Sequence, residues 1–505
     1  MKLAYLVAAG ALLSLPVTIA FAQDHSHAGD ANAHGLGTVH FATSCSPAVG
    51  PEFDHAVALL HSFEFAASIK SFNQVLAGDS TCAMAYWGIA LSRWTNPMAT
   101  GIRPAPALQL GKQAIDAASR VGIHATERER GYLNAVGELY QDYEHRDQPT
   151  RVLDYARAME RLAMQQPADT EAMIFYAISL TASASPTDKT YANQLKAGKI
   201  LEALWAKQPN HPGIAHYIIH TYDYPPLATK ARAAAQRYAV IAPEAAHALH
   251  MPSHTFTRLG LWQKSVDTND QSIKAALSTG SIAEALHASD YAMYGDLQMG
   301  KYSAAKKILD GLPGLAARFD PKAVTGAAPG SAGVFALAAI PARWALERSA
   351  WTEAAALEPK STDFPYAEAM TWFARAVGAS RTGDMNRAKA AVDSLGSIQQ
   401  RLSARGETYW AEQVAIQQLG AKAWVNFAEH RTVDALALVR EAVTREDATE
   451  KSAVTPGPLS PAREQLADML MLVHKPREAR AEYRAVLLKE PNRRHSVTGS
   501  GKLTH

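Results

Sequence analysis

An all-α solenoid of stacked helical hairpins is the architecture to expect of this 505-residue chain, on three observations. Two histidine clusters, HYIIH (His216, His220) and HALHMPSH (His247, His250, His254), repeat at a fixed step: His216 to His250 and His220 to His254 both span 34 residues. Pro209 and Pro243, ahead of the clusters, keep the same step, which is the length of one helix–turn–helix repeat. From about Pro51 onward apolar residues recur at steps of three and four with much alanine, and no stretch alternates as a half-buried strand would.

At the N-terminus, residues 1–22 carry Lys2, an apolar run from Leu3 to Ala20, and Ala20-Phe21-Ala22, the small-x-small pattern of a signal-peptide cleavage site. The run is short for a membrane span and is broken by Pro16, so cleavage before Gln23 and a periplasmic or secreted location are expected. A retained anchor is the competing reading; after cleavage no membrane insertion is expected. Residues 23–50 hold His25, His27, His34 and His40 among Gly, Ala, Asp and Ser, and read as a flexible leader. A terminus beginning Gln-Asp-His would offer Cu(II) or Ni(II) a square-planar nitrogen site unless Gln23 cyclises. In an oxidising compartment the chain's two cysteines, Cys45 and Cys82, are expected to form a disulfide; two buried thiols are the alternative.

Four segments place small or apolar residues at steps of four and seven, with proline at twelve: Tyr155, Met159, Leu162, Pro167; Ala197, Leu201, Leu204, Pro209; Ala231, Ala235, Tyr238, Pro243; and Ala479, Tyr483, Val486, Pro491. Weaker copies run through Ser68, Phe72 and Val75; Ala305, Leu309 and Leu312; Ala388, Val392 and Leu395; and Ala435, Val439 and Ala442. In this pattern the chain resembles the tetratricopeptide repeat family, whose second helices carry it. The resemblance implies a right-handed superhelix of about eight to ten helix pairs, with first helices lining the concave side. Within it residues 51–310 form one array, with the histidine-rich repeats near 211–300. Residues 311–333 are a Gly/Ala/Pro-rich loop, 334–491 a second array, and 492–505 a disordered tail. The polar stretch 181–190 is a further connection.

In that family the residues at four fixed steps of the first helix point into the groove. Counted so, the groove positions of three consecutive repeats hold Gly213, His216, His220 and Asp223; His247, His250, His254 and Thr257; and His287, Asp290, Tyr294 and Leu297. Elsewhere the same positions hold Trp87 and Leu91, Phe373 and Val377, or Gly420 and Trp424, so the histidine repeats are exceptional within their own array. His216, His220, His247, His250 and His254 are therefore candidate metal ligands, with Asp223, His287, Asp290 and Tyr294 as auxiliary groove residues. Imidazole without thiolate suits Zn, Cu or Fe, and spacing does not choose among them. Pro252, inside the second cluster, should kink its helix or start a new one.

The function these residues lead one to expect is that of an exported protein whose groove binds a transition metal and a peptide or protein partner. A metal-free interaction scaffold and a metal-dependent enzyme are the rivals. With 50 basic against 48 acidic residues and no basic stripe, nucleic acid is not expected as a partner. HYIIH has the spacing of a zinc-protease helix but places Tyr217 where the general-base glutamate belongs. No GxSxG, Walker A or GxGxxG motif occurs, so no catalytic class is recognised.

Overall fold

The structure, a computed structural model, describes residue 1 and residues 35–501; the cleavage-site region, His25, His27, His34 and the last four residues lie outside the described residues. Among the described residues there is no strand, and successive helices pack as hairpins. In the N-terminal half these are α1 (Gly50–His61) with α2 (Phe65–Gly78), α3 (Ala83–Trp94) with α4 (Ala105–Val121), and α5 (Glu127–Glu138) with α6 (Gln148–Gln165). Next come α7 (Thr170–Ala182) with α8 (Ala192–Trp205) and α9 (Pro212–Thr221) with α10 (Arg232–Ile241). The sixth hairpin has a divided first arm, α11 (Ala246–His250) and α12 (Pro252–Arg258), against α13 (Trp262–Thr279). There follow α14 (Ile282–Gln298) with α15 (Tyr302–Ala316), α16 (Gly330–Leu346) with α17 (Trp351–Ala356), and α18 (Pro365–Thr382) with α19 (Met385–Ala404). Last are α20 (Thr408–Ala428) with α21 (Thr432–Ala448), α22 (Ala462–Leu472) with α23 (Pro476–Lys489), and the short α24 (Arg494–Gly499). The fold is a tetratricopeptide-like helical solenoid. Among the described residues there are eleven hairpins, slightly more than the eight to ten expected; one of the additional ones pairs α16 with α17, which at six residues is too short to display the repeat pattern.

The pattern has a direct packing cause. Steps of four and seven put side chains on one helix face, and Met159 and Leu162 of α6, Ala197 and Leu201 of α8, Ala235 and Tyr238 of α10, and Ala479 and Tyr483 of α23 are all buried. Pro167, Pro209, Pro243 and Pro491 fall just beyond the ends of these helices, where a residue with no N–H breaks no helical hydrogen bond. α14 is the pivot of the molecule: every residue from Ile282 to Gln298 is buried, and the helix packs on α13, α15 and α16.

Three expectations are corrected. Residues 35–49 are not a flexible leader. Leu36, Val39 and Phe41 are buried, the Thr38 N–H donates to Asn210 O, and Phe41 packs 5.2 Å from Trp87 and 5.1 Å from Tyr132. The segment thus runs along the first helices of the N-terminal hairpins, and Cys45 is bonded to Cys82 at the start of α3. The Gly/Ala/Pro-rich loop is shorter than 311–333, since α15 continues to Ala316 across Pro313 and α16 begins at Gly330. The tail is not disordered through its described part: α24 forms, and Arg493 is 2% exposed, with its guanidinium among Glu347, Glu464 and Glu490. The Trp262 indole N–H also donates to Asn492 O, so the C-terminus folds back onto the histidine repeats.

Candidate metal centre

The centre begins with the helix ends. Pro212 at the first turn of α9 sets its start, and one turn separates His216 from His220. Pro252 has no N–H to continue α11, so a new helix, α12, begins on it while Met251 keeps helical angles of φ −53° and ψ −36°. The interruption expected at Pro252 is thus a restart that leaves His247, His250 and His254 along one line. Over those seven residues the helix rises about 10 Å, too far for one ion, and the two ends of the line serve different groups. His247 joins His216 and His220; His250 and His254 join His287 from α14. Within each triad the potential ligand atoms lie within 4.8 Å of one another. All six side chains are buried, none more than 6% exposed.

The outward ring nitrogens are fixed. His216 Nδ1 donates to the His61 carbonyl at 2.6 Å, and His247 Nδ1 sits 3.0 Å from Glu284 Oε1. His254 Nδ1 is 3.0 Å from Asp223 Oδ2. His250 Nδ1 is 2.7 Å from Asn269 Oδ1, an amide oriented by its own donation from Nδ2 to Ser265 O. An oxygen acceptor at Nδ1 places the ring proton there and leaves a lone pair on Nε2. The Nε2 atoms of His216, His220 and His247 are buried with no hydrogen-bond partner. Those of His250 and His254 face each other at 3.0 Å.

Burial, reinforced by the neighbouring imidazoles, holds His216, His220 and His287 well below the usual histidine range and His250 at about 3. His254 is lowered by burial although Asp223 pulls it up. These five rings are therefore neutral near pH 7, the state a metal requires. Burial raises the Glu284 and Asp223 carboxyls, but His247 outweighs it for Glu284 and Lys451 with Arg258 outweighs it for Asp223, so both stay ionised. Glu64, between α1 and α2, is pushed up to about 8 by burial and then by Glu284.

The walls complete the site. Phe63, held at φ 59° and fully buried, packs its ring 4.3 Å from His216 and 5.6 Å from His220 and His247. That left-handed backbone costs a non-glycine residue about 1–2 kcal/mol, and the turn it makes carries Phe63 onto the first triad. Tyr291 closes the second triad, its ring 4.9 Å from His250 and 5.0 Å from His254, and its hydroxyl has its one proton within reach of two carbonyl acceptors, Ala453 O at 2.9 Å and Thr455 O at 3.1 Å. Those acceptors belong to the segment linking α21 to α22, whose Lys451 lies 3.4 Å from Asp223. A cleft of about 50 Å³ remains, reaching His220, His247, His254 and His287 between residues 96–101 and 452–454.

Of the auxiliary residues, Asp223 and His287 are at the centre and Asp290 and Tyr294 are not. Asp290 pairs with Arg343 at 2.7 Å, and the Tyr294 hydroxyl donates to Glu490 and accepts from Arg493. At about 100° per residue, Glu284 and Tyr291 lie about 60° and 40° to the same side of His287 and Asp290 lies about 60° to the other, whereas Tyr294, almost in line with His287, sits two turns and about 10 Å further along α14. The site is also buried and reached through that narrow cleft, and is not part of an open trough. Sequence reasoning missed Glu284, Asn269, Phe63 and Tyr291, and a third buried group in which Glu171 bridges His61 Nε2 and His211 Nε2, each at 2.9 Å. His61 and Glu171 are 110 residues apart on α1 and α7, with no local signal joining them. Their network fixes His61, whose carbonyl orients His216.

No family model matches the chain, and no curated protein matches it. Among solved structures it is similar to the Cut9–Hcn1 hetero-tetramer of APC/C, at 12% identity and TM-score 0.37 over 90% of this chain and 76% of that one. It is similar also to the human IFIT1 dimer with m7Gppp-AAAA, at 10% identity and TM-score 0.37 over 83% of this chain and 89% of that one. Yeast Tom70 aligns at 10% identity and TM-score 0.32 over 90% of this chain and 88% of that one. Likenesses this distant say nothing of what the chain binds.

Proposed function

We propose that this tetratricopeptide-like solenoid is a transition-metal-binding protein, exported to the periplasm or beyond, whose metal is held by His216, His220, His247, His250, His254 and His287. One observation carries the reading: with Nδ1 of His250 and His254 turned to oxygen acceptors, two Nε2 lone pairs meet at 3.0 Å in a buried space. Lone pairs so placed repel unless a proton or a cation lies between them, and an unpaired buried nitrogen costs about 1–3 kcal/mol. The orphaned Nε2 atoms of His216, His220 and His247 add to that cost. A histidine cluster serving only as a polar wall would pair these atoms. Carboxylate and carbonyl partners behind the rings are the outer support that metal-binding histidines use. Neutral imidazoles alone fit Zn, Cu or Fe, and the Cys45–Cys82 bond supports an oxidising compartment.

A peptide or protein partner is a second reading, supported at another place. An inner cavity of about 140 Å³ is lined by Phe335, Tyr366, Trp410, Gln413 and Gln417, and buried polar atoms of the last three have no hydrogen-bond partner.

Elemental analysis of untagged protein should find Zn, Cu or Fe, and the metal should fall to background in a His250→Ala, His254→Ala variant that keeps its helical content. Removing residues 1–34 beforehand takes His25, His27 and His34 out of the measurement. Metal-free protein that retains none of the three ions after equilibration and desalting would sink the proposal.

A further inference from the structure

The division of the histidines into two groups has a consequence for how many ions they hold. Three protein ligands leave a transition metal with an exchangeable position, and about four ligands complete its sphere. Six imidazoles, four of them with the outer nitrogen tied back to an oxygen, are too many for one ion and suit two. The two groups also adjoin. Across the boundary His220 lies 5.8 Å from His254 and His247 lies 5.8 Å from His250, ring centre to ring centre. Inside the groups the corresponding distances run from 4.5 Å for His250 and His287 to 6.4 Å for His254 and His287. The boundary is therefore no wider than the groups themselves, and ions about 2 Å from each Nε2 can approach the roughly 4 Å spacing of paired-metal sites.

The cleft supplies the second half of the argument. It touches His220 and His247 of one triad and His254 and His287 of the other, so a single opening serves both. Its volume of about 50 Å³ is on the scale of one or two waters, which admits a small anion and excludes a peptide. Charge then decides what enters. Six neutral imidazoles cancel none of the charge of two divalent ions. Asp223 is already matched by Arg258 and Lys451, leaving Glu284, behind His247, as a carboxylate of the outer layer with no Lys or Arg against it among the described residues. A site this cationic and this buried requires an anion in direct contact with the metals.

Resting on the metal-binding reading above, we infer that each triad takes its own ion and that one small anion, hydroxide at rest, bridges the pair from the cleft. This gives the protein a two-metal centre with an exchangeable bridge, open to small oxygen- or nitrogen-donor ligands and closed to larger ones.

The test uses the full chain stripped of metal with a chelator, then equilibrated with Cu(II) and desalted. The wild type should retain two more equivalents than a His216→Ala, His287→Ala variant, a difference that cancels copper held by the N-terminal histidines. Those two equivalents should contribute almost no electron paramagnetic resonance signal, because a bridged Cu(II) pair couples its spins. Azide should produce a new near-ultraviolet absorption band saturating at one azide per pair. The milder His287→Gln variant should lose one equivalent and gain the signal of one isolated Cu(II), which keeps the test valid if the double variant misfolds. One extra equivalent in the wild type overturns the pair while leaving metal binding intact. Two equivalents with a full uncoupled signal, or with no azide band, overturn the bridge. No extra equivalents overturns both this inference and the reading on which it rests.

Discussion

Arg493→Ala is expected to destabilise the protein by about 3–5 kcal/mol, the usual cost of breaking a buried ion pair from one side. The guanidinium is 2% exposed, with Nη2 2.8 Å from Glu347 Oε1, Nε 2.8 Å from Glu464 Oε2 and Nη1 3.4 Å from Glu490 Oε2. The contacts of Nε and Nη2 are close ion pairs without hydrogen-bond alignment, so Coulombic attraction carries them, while Nη1 donates a well-formed hydrogen bond to Tyr294. Removing the cation leaves the Glu347 and Glu464 side chains, 5% and 4% exposed, facing each other without compensation. Ser496 is hydrogen-bonded to Glu464 at 2.5 Å, so α24 should loosen as well. Urea titration of wild type and variant reads the difference. A loss below about 1 kcal/mol would mean that the tail lies on the surface without holding α14, α16 and α22 together.

The tail shows where the sequence runs out. Arg493-Arg494-His495 looks like a solvated basic run because the carboxylates that bury it come from α16, α22 and the end of α23, with no spacing to announce them. The same holds at the other end. Leu36, Val39 and Phe41 are too few and too irregularly spaced to register as a buried segment, yet the inner faces of α3, α5 and α9 leave a channel that they fill. The hairpins themselves were legible, since a helix burying one face against a partner must repeat small and apolar residues every three or four positions. For the centre, the 34-residue step of His216 with His250 and His220 with His254 marked the inner wall, because equivalent positions of stacked repeats face the same way. The split into two triads depends on helix rise, on the restart at Pro252 and on the phase of α14, each a shift of a few ångströms that spacing does not encode. Glu284 and Asn269 were hidden for a different reason: they act through Nδ1, behind the rings, on helices that meet the cluster only in three dimensions.

Lowering the pH from 7 to 5 is expected to cost the metal-free protein several kcal/mol of its stability. His216, His220, His250, His254 and His287 all titrate lower in the folded chain than the usual value of 6.5, because burial, strengthened by the neighbouring imidazoles, disfavours their charged forms. For a histidine depressed in this way the folded state gains nothing above pH 6.5. Below it the unfolded chain binds protons that the folded chain refuses, so stability is lost as pH falls, down to about 3 for His250. Each strongly depressed group removes about 1.4 kcal/mol per pH unit once well below 6.5, so His216, His220, His250 and His287 together approach roughly 6 kcal/mol per unit, with His254 adding a smaller loss in the same direction, against a typical total stability of about 5–15 kcal/mol. Asp223 and Glu284, which their cationic neighbours and His247 keep ionised, add their own loss only below the ordinary carboxylate range, near about 4. Glu64 and His495 run the other way. Glu64, raised by burial and then by Glu284 to about 8, takes up a proton in the folded chain before the unfolded one does. It returns about 1.4 kcal/mol per unit between pH 8 and about 4.5, which offsets only part of the histidine loss. For His495 burial opposes the charge, but the contact with Asp468 outweighs this and raises it to about 9, so its contribution is full below 6.5 and fades above neutrality. A metal ion on the Nε2 atoms holds the rings deprotonated and stabilises only the folded chain. Melting temperatures measured from pH 7.5 to 4.5 should therefore fall steeply below pH 6.5 without metal. With metal the fall should begin at lower pH, and the two curves should converge where protons displace the ion. A metal-free protein whose melting temperature stays level down to pH 5 would show that the imidazoles accept protons in place, and the tightly buried, neutral histidine centre described above would be wrong.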